Sequence, residues 1–261
     1  MNVFITGASS GIGAALARAY AGRGDTCTLV SRRAEVLEAL RASLTRPEAH
    51  RSHPADVTDA AALAAVAKAS TIESGLPDIV IANAGISGGT GTADPDSLGA
   101  FRRIVETNLV ATVATFGPFI AAMKAQPRAS GYRLVVIASV AGIRGLPGSG
   151  AYCASKAAVI AYAESLRIEL RGTGIRVVIV APGFIDTPMT KANPYPMPFL
   201  MHVDAFAEKA LPVIDAGRSF TVIPWQMGWL ARLLRVLPDR LLDAALAGRA
   251  RKPPLQEHGP R

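Results

Sequence analysis

A tyrosine and a lysine four residues apart, Tyr152 and Lys156, could form a proton-transfer pair. They occur in the stretch AYCASK, which follows a glycine- and serine-rich turn and begins an alanine-rich pattern that predicts a helix. Residues four apart project from the same helix face, so the phenol and the ammonium can share one site. A free tyrosine has a pKa of about 10, and a nearby positive charge makes it a better proton donor and acceptor at neutral pH. By itself, such a pair is more often an ordinary surface pair, so its assignment depends on the other motifs.

A glycine-rich segment near the N-terminus predicts a phosphate-binding loop. Residues 7–13, GASSGIG, lie between the apolar run NVFIT and a helical pattern. Glycines allow a tight turn and a close approach to a pyrophosphate, whose charge the free N–H groups of a helix N-terminus stabilise. The spacing differs from the common G-x-G-x-x-G, and a tight turn without a ligand is the alternative. The candidate contacts are Gly7, Ser9, Ser10, Gly11, Ile12 and Gly13.

The second apolar run ends in Ser31, Arg32 and Arg33. An NAD-binding protein of this architecture would place an acid here, against the ribose 2′-hydroxyl. Two guanidinium groups and a hydroxyl instead suit a 2′-phosphate, so we expect NADP(H) to be preferred over NAD(H). A solvated arginine pair next to the following helix is the alternative.

The elements that must position these residues alternate along the chain. Short apolar runs such as TCTLVS and RLVVIAS alternate with longer helical patterns, and the runs are continuous in Val, Ile and Leu. Such strands are buried on both faces of a sheet, and their alternation with helices predicts parallel βαβ units. We therefore expect an α/β fold with one doubly wound domain over residues 1–224, built on a mostly parallel, seven-stranded sheet.

Composition excludes several classes of protein. Half of the 261 residues are hydrophobic and 18% are charged, which is typical of a folded globular chain. The net charge of +8 favours anionic partners, but the arginines are scattered and do not predict nucleic-acid binding. The N-terminus lacks the pattern of a secretory signal, so we expect a cytoplasmic protein with Cys27 and Cys153 as reduced thiols. We interpret His50 and His53 as solvated polar residues and expect no metal site.

The motifs together resemble the short-chain dehydrogenase/reductase family over residues 1–224. They are TGASSGIG (6–13), DVT (56–58), NAG (83–85), TNL with Asn108, VVIASVAG with Ser139, YCASK (152–156) and PGFIDTP (182–188). They occur in the family's order, and Ser139 precedes Tyr152 by the family's thirteen positions. The resemblance implies a catalytic set of Asn108, Ser139, Tyr152 and Lys156.

The resemblance also implies a role for each member of that set. Tyr152 would act as acid and base, Lys156 would lower its pKa and hold the nicotinamide ribose, and Ser139 would orient the substrate oxygen. Asn108 would interrupt a helix to hold a proton-relay water. The further cofactor contacts implied by the family are Asp56 and Val57 beside the adenine, Asn83, Ala84 and Gly85 along the cleft, and Pro182, Gly183, Ile185 and Thr187 at the nicotinamide.

These residues predict the interconversion of a carbonyl and an alcohol by hydride transfer. A 3-oxoacyl reductase is the nearest alternative enzyme, and a non-catalytic NADP(H)-binding sensor or scaffold is the alternative of another class. Residues 187–204 occupy the family's substrate-lid position. Its large apolar residues favour a bulky or lipophilic substrate, with simple packing as an equal alternative: Met189, Tyr195, Met197, Phe199, Leu200 and Met201.

The C-terminal part of the chain stands apart from this pattern. Residues 225–248 predict an apolar and basic helix interrupted at Pro238, and residues 249–261 predict a disordered tail. The helix could pack on another subunit, close the substrate pocket or contact an anionic membrane, and we favour the first two. The family resemblance implies a homodimer or homotetramer.

Overall fold

The computed structural model, which describes residues 1–95, 97–248 and 250–255, contains one large sheet and one small strand pair. The strands are β1 (Asn2–Thr6), β2 (Thr26–Ser31), β3 (Arg51–Pro54), β4 (Ile79–Ala82), β5 (Tyr132–Ile137), β6 (Ile175–Pro182), β7 (Ile185–Asp186), β8 (Met201–His202) and β9 (Phe220–Ile223). Apart from the β7–β8 pair, they form a parallel seven-stranded sheet in the order β3-β2-β1-β4-β5-β6-β9. The predicted doubly wound α/β sheet is confirmed. The strand order reverses between β1 and β4, which opens a crevice at their carboxyl ends.

Helices cover both faces of the sheet. They are α1 (Gly11–Gly22), α2 (Ala34–Ser43), α3 (Ala60–Ser74), α4 (Ser97–Val105), α5 (Ala111–Ala125), α6 (Gly150–Glu169), α7 (Pro188–Lys191), α8 (Val203–Asp215), α9 (Trp225–Val236) and α10 (Asp239–Leu246). On one face Ile5 of β1 packs in a buried cluster with Leu16 of α1 and Phe206 of α8. On the other face its neighbour Phe4 packs with Phe116 of α5. Because successive strand residues point to opposite faces and both faces are covered, the central strands β1, β4, β5 and β6 are mostly apolar.

Residues 97–125 form one continuous helix. Helix α4 passes into α5 through a π-helical turn, Glu106–Val110, instead of through a loop. By length and mean hydropathy this helix could cross a membrane, but its buried side chains, including Ile104 and Phe119, pack against neighbouring elements of the domain. The π turn carries Asn108 into the interior.

The segments after β6 differ in detail from the sequence prediction. The lid predicted over residues 187–204 contains α7 and β8, and its last two residues already belong to α8. In the region of the predicted C-terminal helix, α9 and α10 lie on either side of Pro238. Residues 250–255 contact the domain, which differs from the predicted disordered tail; the other residues of that tail, 249 and 256–261, lie outside those described.

Candidate active site

Tyr152 and Lys156 lie in the first turns of α6, on the side that faces the sheet. Lys156 is only 5% exposed, and its Nζ donates a 2.8 Å hydrogen bond to the carbonyl oxygen of Ile137 at the end of β5. The same Nζ lies 5.9 Å from the centroid of the Tyr152 ring. The two residues are therefore neighbours in a buried site and not a surface pair.

Burial changes the pKa of both groups. It raises the pKa of Tyr152 to about 12, against the lowering effect of a side-chain hydrogen bond with Ser139. Burial also lowers the pKa of Lys156 to about 8. Desolvation thus outweighs the hydrogen bond with Ser139, and the lowering of the Tyr152 pKa by Lys156 stays a prediction. Tyr152 is therefore a protonated phenol at neutral pH.

Ser139 is positioned by the end of β5 and by a tight turn that follows it. It caps a short 3₁₀ helix, Val140–Gly142, and its Oγ accepts a 3.1 Å hydrogen bond from the N–H of Ala141. A Cβ atom at Gly142 would lie 2.7 Å from backbone atoms of Lys156, so only glycine allows this turn to pack against α6. That close packing brings Ser139 beside Tyr152.

Asn108 is 1% exposed, and its side chain forms hydrogen bonds with Ile86 and Ser155. Its Oδ1 accepts from the N–H of Ile86 at 2.8 Å, and its Nδ2 donates to the carbonyl of Ile86 and to Ser155 Oγ, both at 3.0 Å. Ser155 Oγ in turn donates to the carbonyl of Tyr152 at 2.8 Å. The predicted interruption of the helix at Asn108 is present as the π turn, a feature that is frequent at functional sites. The sequence interpretation missed Ser155, whose only signal was its place between Tyr152 and Lys156.

The glycine-rich loop has the close contacts that its sequence predicts. A Cβ at Gly7 would lie 2.7 Å from Ala84 Cα, and one at Gly13 would lie 2.3 Å from the carbonyl oxygen of Gly7. Gly7 and Gly11 have φ of 65° and 54°, values that favour glycine. No side chain among the described residues caps the start of α1, so its first N–H groups remain for an anion. Asn83 Nδ2 fixes the loop by donating to the carbonyls of Thr6 and Gly7 at 3.0 and 3.1 Å.

Two arginines stand at the end of β2, beside the loop. Arg33 Nη2 donates to Ser9 Oγ at 2.8 Å and to Ser10 Oγ at 2.9 Å, so its guanidinium lies over the predicted phosphate loop. Arg32 lies 3.7 Å from a carboxylate oxygen of Asp56. Ser31 Oγ is buried and has no hydrogen-bond partner among the described residues. The three predicted residues thus line one corner of the cleft next to the loop.

The remaining predicted cofactor residues border the same crevice. Gly85 follows β4, and a Cβ there would lie 3.7 Å from Lys156 Nζ. Thr187, beyond β7, faces Gly11 of the glycine-rich loop, where a Cβ would lie 3.4 Å from its side chain. Of the other members, Val57 after β3 and Ile185 of β7 are buried, and Ala84 lies against Gly7. Pro182 ends β6 and Gly183 follows it. These positions fit a dinucleotide that extends from the loop to Tyr152.

A cavity of about 320 Å³ begins at Val140, the residue after Ser139, and has a mostly apolar lining. It is lined by Val140, Ala141, Ile143, Arg144, Leu146, Phe184, Pro196, Pro198, Met227, Leu230, Ala231 and Leu234. The lid contributes two prolines here, and the six large apolar lid residues of the sequence prediction are not among the lining. Three of those six, Met189, Phe199 and Leu200, are exposed instead. The inner face of α9 supplies the wall that the sequence interpretation assigned to the lid.

Cys27, His50 and His53 lie in β2, before β3 and in β3, apart from Tyr152 and Lys156. Cys27 and Cys153 are buried and form no disulfide. His50 is 1% exposed, and its Nδ1 accepts from the N–H of Cys27 at 3.0 Å, so the interpretation of His50 as solvated was wrong. Among the described residues no group of three His, Cys, Asp or Glu is placed to hold a metal ion.

The parallel sheet, the glycine-rich loop at its switch point and the buried Tyr–Lys pair define a dinucleotide-dependent oxidoreductase. The short chain dehydrogenase family model matches residues 1–196, and the chain belongs to this family. Members of the family use NAD(H) or NADP(H), act on small molecules and are commonly oligomeric.

Individual relatives agree with this assignment. An uncharacterized oxidoreductase of Myxococcus xanthus (strain DK1622) is 40% identical over 246 residues, which cover 92% of this chain and 94% of the relative. Cis-4-hydroxycyclohexanecarboxylate dehydrogenase of Sinomonas cyclohexanicum is 35% identical over 192 residues, 73% of this chain and 75% of that protein. The crystal structure of levodione reductase matches with a TM-score of 0.78 at 28% identity, over 87% of this chain and 97% of that chain.

Proposed function

We propose that this protein is an NADP(H)-dependent oxidoreductase that interconverts a carbonyl and an alcohol, with Tyr152 as the acid and base. The observation that carries the proposal is the convergence of Ser139, Tyr152 and Lys156 between an apolar cavity and a glycine-rich loop. A merely structural tyrosine would not need this arrangement of a hydroxyl and a buried ammonium around it. The family membership supports the same reaction class.

Bound NADPH would supply the hydride that carbonyl reduction requires. The chain must then supply the proton and hold the carbonyl in place. Ser139 Oγ can donate a hydrogen bond to the substrate oxygen and so orient the carbonyl beside Tyr152. As negative charge develops on that oxygen, the Tyr152 hydroxyl transfers its proton to it. The Lys156 ammonium, 5.9 Å from the ring centroid, stabilises the phenolate that remains, and in alcohol oxidation the same proton moves in the opposite direction.

The preference for NADP(H) rests on Arg32 and Arg33. Arg33 already donates to two hydroxyls of the loop, and both guanidiniums lie at the end of β2, where a ribose 2′-phosphate would sit. Asp56 lies near Arg32, but the pair is exposed and 3.7 Å apart, so it leaves the guanidinium available. We expect the two arginines together to favour the extra phosphate.

The substrate we propose is bulky or lipophilic. The mostly apolar cavity that begins at Val140 supports this, with Arg144 as its one charged lining residue, and that arginine is paired with Asp239. The similar proteins named for cis-4-hydroxycyclohexanecarboxylate and for levodione support a ring-bearing substrate. A panel of ketones from short polar to cyclic and long-chain compounds, followed by NADPH consumption with NADH as a control, tests the proposal. A preference for small sugars or for acyl-carrier thioesters would contradict the substrate class, and cofactor binding without turnover of any carbonyl would indicate a sensor.

We also propose that the enzyme works in the cytoplasm as a homodimer or homotetramer. Helix α9 turns its inner face to the cavity and exposes Trp225, Trp229, Leu233 and Val236 on the opposite side. Two tryptophans that are 67% and 64% exposed in one chain favour a covered surface in the assembly. We assign this stripe to subunit contact in preference to an anionic membrane.

A further inference from the structure

The described part of the C-terminal tail, residues 250–255, lies along the loop that follows β4. Gly89 donates a 2.7 Å hydrogen bond from its N–H to the carbonyl of Pro253, and Gly89 and Pro254 form a parallel bridge. Further along, Leu255 lies against Gly88. The tail is therefore attached to the domain by backbone hydrogen bonding as well as by side chains.

Lys252 of this tail links two segments that border the candidate active site. Its Nζ donates to Ser87 Oγ at 3.1 Å and to the carbonyl of Met189 at 3.3 Å. Ser87 lies two residues beyond Gly85, which faces Lys156, and Met189 lies two residues beyond Thr187 in the lid. One ammonium group thus connects the lid to the opposite side of the cleft.

The tail packs so closely against the loop after β4 that a side chain at Gly88 or Gly89 would displace the tail. A Cβ atom at Gly89 would lie 2.0 Å from the carbonyl oxygen of Lys252, and one at Gly88 would lie 2.6 Å from Leu255 Cβ. Neither glycine has a φ in the left-handed region, so the backbone conformation does not demand glycine at either position. The approach of the tail is the physical reason for this glycine pair.

The two hydrogen bonds of Lys252 must compensate for the free energy lost when its ammonium group is removed from water. The side chain is half-buried, and burial lowers the pKa of its ammonium. No described carboxylate lies within ion-pair distance, so a hydroxyl and a carbonyl are the groups that replace its water. These two hydrogen bonds hold the loop after β4 and the lid at a fixed distance from each other.

We propose that Lys252 is a positioning residue for the oxidoreduction: it ties the lid to the loop after β4 and so fixes the lid, which lines the substrate cavity with Pro196 and Pro198. The proposal rests on the proposed function of this site. Lys252 acts through Ser87 and Met189 and takes no part in proton transfer. Its loss should weaken the hold on the carbonyl substrate and leave the chemical step intact.

The experiment compares five full-length proteins: the wild type, Lys252→Met, Lys252→Arg, Gly89→Ala and Lys209→Met. Lys209 is an exposed lysine of α8 outside the site and serves as the matched control. Each protein is assayed for the KM and kcat of the best ketone from the panel, and hydrogen exchange is measured for peptides that cover residues 188–202. The exchange measurement reports on the lid without any turnover.

We expect Lys252→Met to raise the KM of the ketone about tenfold with kcat changed less than about twofold, because one charge-assisted contact is lost. Lid exchange should become faster in the same variant, while Lys252→Arg should restore most of both values. Gly89→Ala should reproduce the loss, since it displaces the tail by a different route. Lys209→Met should match the wild type.

Unchanged lid exchange and KM in Lys252→Met would overturn the proposal, and so would an equal effect of Lys209→Met. A fall in kcat with an unchanged KM would also overturn it, because it would indicate a role in the chemistry. If the wild type turned over no ketone, the proposed function would fail, and the exchange comparison alone would still decide whether Lys252 holds the lid.

Discussion

The Nζ atom of Lys156 lies 5.9 Å from the centre of the Tyr152 ring, and it donates its hydrogen bond to the carbonyl of Ile137. Burial favours the neutral form of both side chains. It raises the pKa of Tyr152 to about 12 and lowers that of Lys156 to about 8. The tyrosine therefore holds its proton firmly before substrate arrives. The ammonium beside it loses its proton more readily than an ordinary lysine.

Carbonyl reduction should decline as the pH rises through about 8, the pKa of Lys156. Above that value the ammonium loses its proton and no longer stabilises the Tyr152 phenolate. The measurement is kcat/KM for the best ketone between pH 6 and pH 10 in wild type and Lys156→Arg. Because arginine stays charged, the variant's profile should lack this decline, whatever its absolute activity. A wild-type profile that is flat to pH 10 would contradict the role of Lys156.

Removing the buried ammonium should stabilise the protein. The folded pKa of Lys156 is about 8, below its unfolded value of 10.5, so the folded state disfavours the proton and stability rises with pH between these values. At pH 7 the charged form costs up to about 3 kcal/mol, of which about 1 is offset by the bond to Ile137. We expect Lys156→Met to raise the free energy of unfolding by about 1–2 kcal/mol at pH 7 and to abolish turnover. Urea denaturation checks this, and a destabilised variant would show that the ammonium is structural.

Arg33 should decide much of the cofactor preference. Arg33→Ala removes a forked donor from the corner beside Ser9 and Ser10, so the KM of NADPH should rise about tenfold while that of NADH changes less than twofold. Steady-state kinetics with both cofactors check the prediction. Arg171→Ala, which removes an exposed arginine far from the loop in sequence, is the control. An equal rise for both cofactors would mean that Arg33 only supports the loop.

Ser155 should affect activity although it cannot touch the substrate carbonyl. Its Oγ links Asn108 Nδ2 to the carbonyl of Tyr152, so Ser155→Ala leaves a buried amide hydrogen without a partner. We expect a loss of about 1–3 kcal/mol in stability. Since Asn108 and Tyr152 become less well positioned, kcat should fall with little change in the KM of the ketone. Ser165→Ala, on the exposed part of α6, should leave both quantities unchanged.

The outer face of α9 provides a test of assembly. Trp225→Ser and Trp229→Ser together remove the most exposed aromatic surface of that helix, and we expect the double variant to form a smaller species than the wild type in light scattering after size-exclusion chromatography. Met227, on the inner face, is kept so that the cavity is unchanged. An unchanged oligomer, combined with loss of sedimentation on anionic liposomes, would assign the stripe to a membrane.

Local patterns predicted the fold well because parallel strands and phosphate loops leave periodic and glycine-rich signatures. The same was true of Tyr152 and Lys156, whose spacing on one helix brings them together without help from distant residues. The wall of the cavity was assigned to the lid, and α9 supplies it instead, because tertiary packing decides which face of an apolar segment turns inward. The requirement for glycine at position 89 could not be predicted from the adjacent sequence. It arises from the contact with the C-terminal tail, which is more than 160 residues away along the chain.

The most direct test of the central claim is NADPH oxidation by wild type, Tyr152→Phe and Tyr162→Phe with the best ketone of the panel. Phenylalanine keeps the ring and removes only the hydroxyl group, while Tyr162, two turns or more further along α6, controls for the loss of any tyrosine hydroxyl there. We predict that Tyr152→Phe loses at least about a hundredfold in kcat, as expected for a lost general acid, and still binds NADPH. Tyr162→Phe should retain wild-type turnover. A Tyr152→Phe enzyme with normal ketone reduction would contradict the account.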